Sequence, residues 1–126
     1  MTAPTTAEIT TAEIMHRFNE VFQRHDPAAL EELVAADCVI ENIRPAPDGG
    51  RLEGAAACIE NWRRIATTPG TGFDLEDTIA FGDRAIILWR YRWSEGEGVQ
   101  SSVRGVNLMR VRDGRIVEAK GYVKAP

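Results

Sequence analysis

Apolar residues recur at helical spacing early in the chain and change to strict alternation in its second half. Ile14, Met15, Phe18, Val21 and Phe22 fall on one face of a helix. Two overlapping capping boxes, Thr5-x-x-Glu8 and Thr10-x-x-Glu13, mark its start, and it is predicted to run to about Arg24. His25-Asp26-Pro27 then punctuates the chain. Asp26 suits an N-cap and Pro27 a first helical position, so a second helix is predicted over about 27–35, burying Leu30, Leu33 and Val34. Cys38 to Ile43 reads as a strand, and Pro45, Pro47 and Asp48-Gly49-Gly50 as a loop. A third helix is predicted over about 54–67, with Cys58, Ile59, Trp62, Ile65 and Ala66 on one face, ending at Thr68-Pro69-Gly70.

Four strands follow, at about 73–80, 84–94, 99–112 and 115–124. Gly82-Asp83 turns the first pair, the Glu95-Gly96-Glu97-Gly98 stretch the second, and Asp113-Gly114 makes a tight hairpin. Helices first and a long meander afterwards is an α+β pattern. Alternation assigns the faces. Ile87, Trp89, Tyr91 and Trp93 share one face, with Arg90 and Arg92 on the other. Val103, Gly105, Asn107, Met109 and Val111 oppose Arg104, Val106, Leu108, Arg110 and Arg112; Val117, Ala119, Gly121 and Val123 oppose Glu118, Lys120, Tyr122 and Lys124. The aromatic face should take the helices and enclose a mostly apolar pocket. The other face mixes arginines with Leu88, Val106 and Leu108, which suits a homodimer surface or a solvated one.

A chain of 126 residues fits one domain, read as 7–126 behind a flexible tail at 1–6. The net charge of -4 argues against a nucleic-acid binder, and the arginine stripe has Glu95, Glu97 and Glu118 near enough to pair with it. No apolar run reaches the roughly 18 residues of a membrane span, and Met1 to Thr6 carries no signal-peptide pattern, so a cytoplasmic protein without membrane association is expected. Cys38 and Cys58 read as buried free thiols. No cluster has metal-ligand spacing and no glycine-rich loop joins a strand to a helix, so neither metal nor cofactor is expected.

Gly82-Asp83-Arg84, Trp89-Arg90-Tyr91-Arg92-Trp93 and the run from Arg104 to Glu118 resemble the SnoaL-like branch of the nuclear-transport-factor-2-like superfamily. So do Asp26-Pro27-Ala28-Ala29-Leu30, Asp37 to Asn42, and Pro45-x-Pro47-Asp48-Gly49. The resemblance covers about residues 8–124. It implies a cone-shaped roll: three N-terminal helices packed on a strongly curved, mainly antiparallel sheet, with a pocket at the open end. Members include polyketide cyclases, ketosteroid isomerases and limonene-epoxide hydrolases. The isomerase donor, base and acid fall on Phe18, Asn42 and, with about one residue of slack, Asn107. Asparagine takes no proton at neutral pH, so that mechanism lacks its base. The epoxide-hydrolase pattern meets this chain at Asn42, where those enzymes hold the attacking water, but its arginine and two aspartates fall on Trp89, Tyr91 and Gly121. The cyclase acid falls at or beside Gly121, next to an outward Lys120.

The candidate catalytic residues are therefore Asn42, Tyr91, Asn107 and Asp77. The two asparagines project inward and can grip a carbonyl, an enolate or a water, or else satisfy buried backbone groups. Asp77 lies between Leu75 and Ile79 on an apolar strand face, where burial would make it a base; a salt bridge or an outward-turning bulge is the alternative. Phe18, Phe22, Ile40, Trp62, Trp89, Trp93, Met109 and Gly121 are the expected ligand-binding lining, unless the aromatics are ordinary core. Glu41, His16 and His25 read as solvated or capping groups. The expected function is a cofactor-free cyclase, isomerase or hydratase-like enzyme acting on a hydrophobic oxygenated small molecule. A non-catalytic binding protein for an apolar ligand and a homodimeric accessory protein are the alternatives.

Overall fold

The computed structural model describes residues 6–124, with side chains from Thr10 onward. The tail expected at 1–6 and the first capping box thus fall largely or wholly outside the described residues. Helix α1, Thr6–Gln23, is followed by α2, Leu30–Leu33, and strand β1, Val34–Glu41. Strand β2, Arg51–Glu53, and helix α3, Ala55–Thr67, precede the meander of β3, Thr71–Phe81, β4, Arg84–Gly96, β5, Val99–Arg112, and β6, Arg115–Val123. One sheet in the order β2-β1-β6-β5-β4-β3 results, antiparallel except where β1 runs parallel to β6.

The helices lie on the inner face because their apolar stripes match the apolar alternation of the strands. Met15, Phe18, Leu30, Leu33, Cys58 and Trp62 meet Ile40, Ile87, Trp89, Met109 and Ile116 in one buried core. Thr11, a buried polar residue of α1, donates its hydroxyl to the Gly82 carbonyl at 2.8 Å. His25, with a φ of 54°, ends α1, and its Nδ1 lies 2.9 Å from the Ala66 carbonyl in the last turn of α3. Because a carbonyl only accepts, that nitrogen carries the proton.

Three expectations change here. The Thr10 box lies inside α1, which already starts at Thr6. The second helix shrinks to four residues, since Val34 is captured by pairing with Ile116 of β6; Asp26 instead accepts the Ala28 N–H at 3.1 Å in a local turn. The first strand spans Val34–Glu41 rather than 38–43, and the loop expected at 45–50 is followed by the short strand β2, whose Leu52 pairs with Ile40.

On β4 the alternation holds without interruption from Ile87 to Trp93: Trp89 is buried, Tyr91 and Trp93 are half-buried, and Arg90 and Arg92 face away. Extra residues interrupt the pairing of β3 and of β6. In β3, Leu75 pairs with Trp89 and Asp77 with Leu88, leaving Glu76 unopposed. In β6, Val117 is skipped, so Ile116 rather than Val117 enters the core. Such bulges bend and twist their strands, curling the sheet around the helices. Asp113 and Gly114 both take positive φ, as the two-residue hairpin between β5 and β6 requires.

Candidate functional site

The curl leaves a cavity of about 1220 Å³ between the inner sheet face, α1 and α3. Its wall is a continuous aromatic run. Trp62 packs on Phe18 at 4.8 Å between centroids, Phe18 on Phe22 at 5.0 Å, and Phe22 on Phe73 at 5.5 Å. Phe73 then touches Trp89 at 5.4 Å and Tyr91 at 4.8 Å, and Tyr91 stacks on Trp93 at 5.7 Å. The edge-on geometry of most of these pairs is the arrangement that ring quadrupoles favour. Ile40, Ile43, Leu75, Val103, Ala119 and Val123 complete the apolar lining.

Neutral polar groups interrupt this wall, and two hydrogen-bonded pairs stand out among them. On the sheet, the Trp89 indole N–H donates to Asn107 Oδ1 at 3.2 Å. The ring reaches that far because it lies across Gly105, where a Cβ would stand 2.5 Å from the Trp89 Cη2. An indole N–H only donates, so the Asn107 oxygen is the atom turned to Trp89, and its amide N–H₂ is free for other partners. At the end of β1, Asn42 and Asn61 of α3 exchange hydrogen bonds, 3.1 Å from Asn42 Nδ2 to Asn61 Oδ1 and 3.4 Å in return. The loop fixes Asn42 from behind: its N–H donates to the Gly50 carbonyl at 2.8 Å, and Gly49 packs so closely that a Cβ there would collide with the Asn42 carbonyl. Each amide keeps one N–H and acceptor capacity for a guest. The Tyr91 hydroxyl has no hydrogen-bond partner among the described residues.

Asn42, Tyr91 and Asn107 thus line one cavity, together with Phe18, Phe22, Ile40, Trp62, Trp89, Trp93 and Gly121. Two expected residues do not. Asp77 is exposed on the outer sheet face, because the bulge at Glu76 reverses the alternation; its carboxylate accepts the Thr78 N–H at 2.8 Å. It is not placed to act as a base on a guest in the cavity. Met109, on the inner face as expected, is buried in the core beside Ala85 and Ala119 and contributes nothing to the lining.

Sequence reasoning missed Asn61, Asn19 and Phe73. Asn61 immediately precedes Trp62 on α3, and Asn19 follows Phe18 on α1; each sits at the margin of an apolar stripe, where periodicity alone reads as boundary. Asn19 Nδ2 donates to the Thr78 hydroxyl at 3.4 Å. The charged residues of the lining, Glu41, Arg44, Glu95, Arg104 and Lys124, are confined to its rim, so the interior holds amides, indoles and one phenol. The two thiols lie apart from this lining. Burial pushes both up, and the adjoining Cys58 adds to the rise at Cys38. Among the described residues no group of histidine, cysteine or carboxylate side chains could hold a metal ion, and no helix is long and apolar enough to cross a membrane.

The family model for the SnoaL-like domain matches residues 15–119. No curated protein matches the chain. A crystal structure of an NTF2-like protein of unknown function from Mesorhizobium loti is 63% identical, covers 98% of both chains and superposes with a TM-score of 0.91. Bal32a, from a soil-derived mobile gene cassette, is 19% identical over 94% of this chain and 92% of its own, with a TM-score of 0.79. An LEH-like epoxide hydrolase of M. tuberculosis is 18% identical over 98% of this chain and 83% of its own, with a TM-score of 0.74. At such identities the last two bear on the fold alone.

Proposed function

The chain belongs to the SnoaL-like domain family, and on that premise we propose that its cavity holds a hydrophobic, oxygen-bearing small molecule. One observation carries the reading. The cavity interior combines a continuous aromatic wall with uncharged hydrogen-bonding groups and no carboxylate, histidine or amine. Such an interior rewards a guest whose enclosed part is a flat, uncharged body. A bare charge brought into it would lose hydration without compensation. Binding therefore ranks ahead of acid–base catalysis, because Asp77, the one substitute base the sequence offered, lies on the other side of the sheet.

Catalysis by polarisation is the second reading. The Tyr91 hydroxyl and the Asn107 amide are donors on the cavity lining, and donors placed where charge develops on an oxygen accelerate reactions without a protein base. A cofactor-free cyclase, isomerase or hydratase-like activity would run that way. The outer sheet face is proposed to seat a second copy of the chain around Leu88, Val106 and Leu108. Two buried free thiols suit a reducing, cytoplasmic compartment.

The test is a panel of neutral aromatic and terpenoid ketones, followed by quenching of tryptophan fluorescence. Saturable quenching is expected for at least one compound, weakened about three- to tenfold by Asn42→Ala or Tyr91→Phe, in line with the net worth of a hydrogen bond. No quenching by any member of a varied panel would overturn the small-molecule reading. Turnover of a bound ketone, lost in Tyr91→Phe with binding retained, would move the second reading ahead of the first.

A further inference from the structure

The cationic side chains divide unevenly between partnered and unpartnered. Ten of the thirteen arginines, and Lys120, hold a carboxylate within ion-pair distance. Arg90 instead donates to the Ser102 hydroxyl at 2.8 Å, and Arg115 to the Glu31 carbonyl at 3.0 Å. Only Arg44 and Lys124 have neither kind of partner among the described residues, and both belong to the rim of the cavity.

Chain topology brings the two together. Strands β1 and β6 run parallel with Glu41 beside Lys120, so Arg44 and Lys124 follow a few residues later at the same end of neighbouring strands. Ile43, just before Arg44, packs on Gly121 of β6. The Lys124 N–H donates to the Arg104 carbonyl at 2.8 Å, holding this end of the chain against β5. The carboxylates of the same rim have other partners, Glu95 neutral donors only, and the three cations of the rim outnumber its two carboxylates. Glu41 lies 3.8 Å from Lys120, and Glu95 accepts the Ser101 hydroxyl at 2.7 Å and the Trp93 indole N–H at 3.3 Å. In a chain of net charge -4, the two cationic side chains with no ion-pair or hydrogen-bond partner among the described residues thus stand at the entrance to the apolar cavity. A local positive field at a cleft mouth draws in anions against the repulsion of the whole molecule.

We propose that the cavity mouth binds a carboxylate, and that the guest is an amphiphilic carboxylic acid. Its apolar body lies along the aromatic wall and its anionic end meets Arg44 and Lys124. The uncharged interior and the charged rim then serve two ends of one molecule. This rests on the cavity being a small-molecule site, and it narrows that reading to a class of ligand.

Calorimetry with a matched pair tests it: 4-(2-naphthyl)butanoate and its primary amide, which share a body and differ in charge. The acid is expected to bind about three- to tenfold more tightly at low salt, the range two exposed ion pairs provide, and to lose that advantage at high salt. The double variant Arg44→Gln/Lys124→Gln should bind both compounds with the affinity the amide has for the native protein. Both side chains are exposed, so its melting temperature should stay within about a degree or two of native. Equal binding of acid and amide, or a preference that survives the double substitution, would overturn the carboxylate site while leaving the cavity reading intact. Binding of neither would sink both.

Discussion

The indole N–H of Trp89 donates to the side-chain oxygen of Asn107 at 3.2 Å, and this bond fixes which way the Asn107 amide faces. With the oxygen occupied by a donor, the amide offers N–H₂ to a guest and so selects for acceptors. Trp89→Phe keeps most of the ring but removes the indole N–H. The amide is then free to flip. The expected outcome is a stability loss of about 1 kcal/mol in urea denaturation. Affinity for a ketone guest should fall about three- to tenfold and affinity for a guest bearing only a hydroxyl should change less, since a freed amide can accept as well as donate. Unchanged affinity for both guests would show that Asn107 is not read by the ligand.

Gly105 and Gly121 both lack side chains on the cavity side of the sheet, yet their substitutions should differ. A Cβ at Gly105 would stand 2.5 Å from the Trp89 ring and 2.5 Å from the Tyr122 backbone carbonyl, which belongs to the neighbouring strand and cannot turn away. At Gly121 the nearest atoms are the Ile43 Cγ1 at 3.2 Å and Asn107 Oδ1 at 3.3 Å, both on side chains that can shift. Gly105→Ala is expected to cost about 1–3 kcal/mol and Gly121→Ala under about 1 kcal/mol, measured by chemical denaturation. The reverse ranking would mean that the Trp89 ring is not held across β5.

These two glycines also mark what the sequence reveals and what it hides. Strict alternation on β4 located Trp89, Tyr91 and Trp93 on the cavity side, because both partner strands keep an inward residue opposite each of them. The same rule misplaced Asp77, and put Val117 where Ile116 belongs, since one unopposed residue reverses every later side chain. No local signal marks Glu76 or Val117 as bulges. Their cause is the curvature the whole sheet adopts around α1 and α3. Asn61 was hidden for a related reason. Its role depends on meeting Asn42 across nineteen positions of chain, and periodicity along one helix carries no information about that encounter.

Cys38 and Cys58 should be unreactive as the protein stands. Both are fully buried, and Cys58 donates its thiol to the Cys38 carbonyl at 3.4 Å. Burial pushes both thiols above their usual range, so thiolate is scarce at neutral and mildly alkaline pH. A disulfide reagent such as Ellman's is expected to label neither cysteine in the native protein near pH 8, and both once the chain is denatured. Rapid native labelling would show that β1 and α3 open locally.

The outer sheet face predicts an association. Ile86 pairs with Leu108 and Leu88 with Val106, and Tyr122 flanks Val106 from β6. Leu108 is 41% and Tyr122 52% exposed, on a surface no helix covers. Sedimentation at micromolar concentration is expected to give a dimer, and Leu108→Lys a monomer with its fold retained. A native monomer at every concentration would end the idea.

This cavity should not share the chemistry of the ketosteroid isomerases. Their reaction needs a base to carry a proton across the steroid and donors to hold the dienolate oxygen. Phe18, which the sequence resemblance sets at their donor position, is buried against Phe22 and Trp62 and has nothing to donate. Asn107 does offer its N–H₂ group, a donor that can meet an oxygen of a guest. Asn42, which the sequence resemblance sets at their base position, cannot accept a proton. General acid–base help is worth about 10²–10⁴-fold, so the native protein should isomerise a 5-ene-3-ketosteroid only marginally above buffer. Asn42→Asp would restore a proton acceptor, held by the Asn61 amide that now lies 3.4 Å from the Asn42 oxygen. Because that contact stabilises the carboxylate, the new base should be weak and the gain should fall at the low end, about 10²-fold. Asp77→Asn should change nothing, since Asp77 lies on the opposite face of the sheet. Efficient native turnover that survives Asp77→Asn would show that another group carries the proton. A native rate abolished by Asp77→Asn would refute the outward placement of that carboxylate.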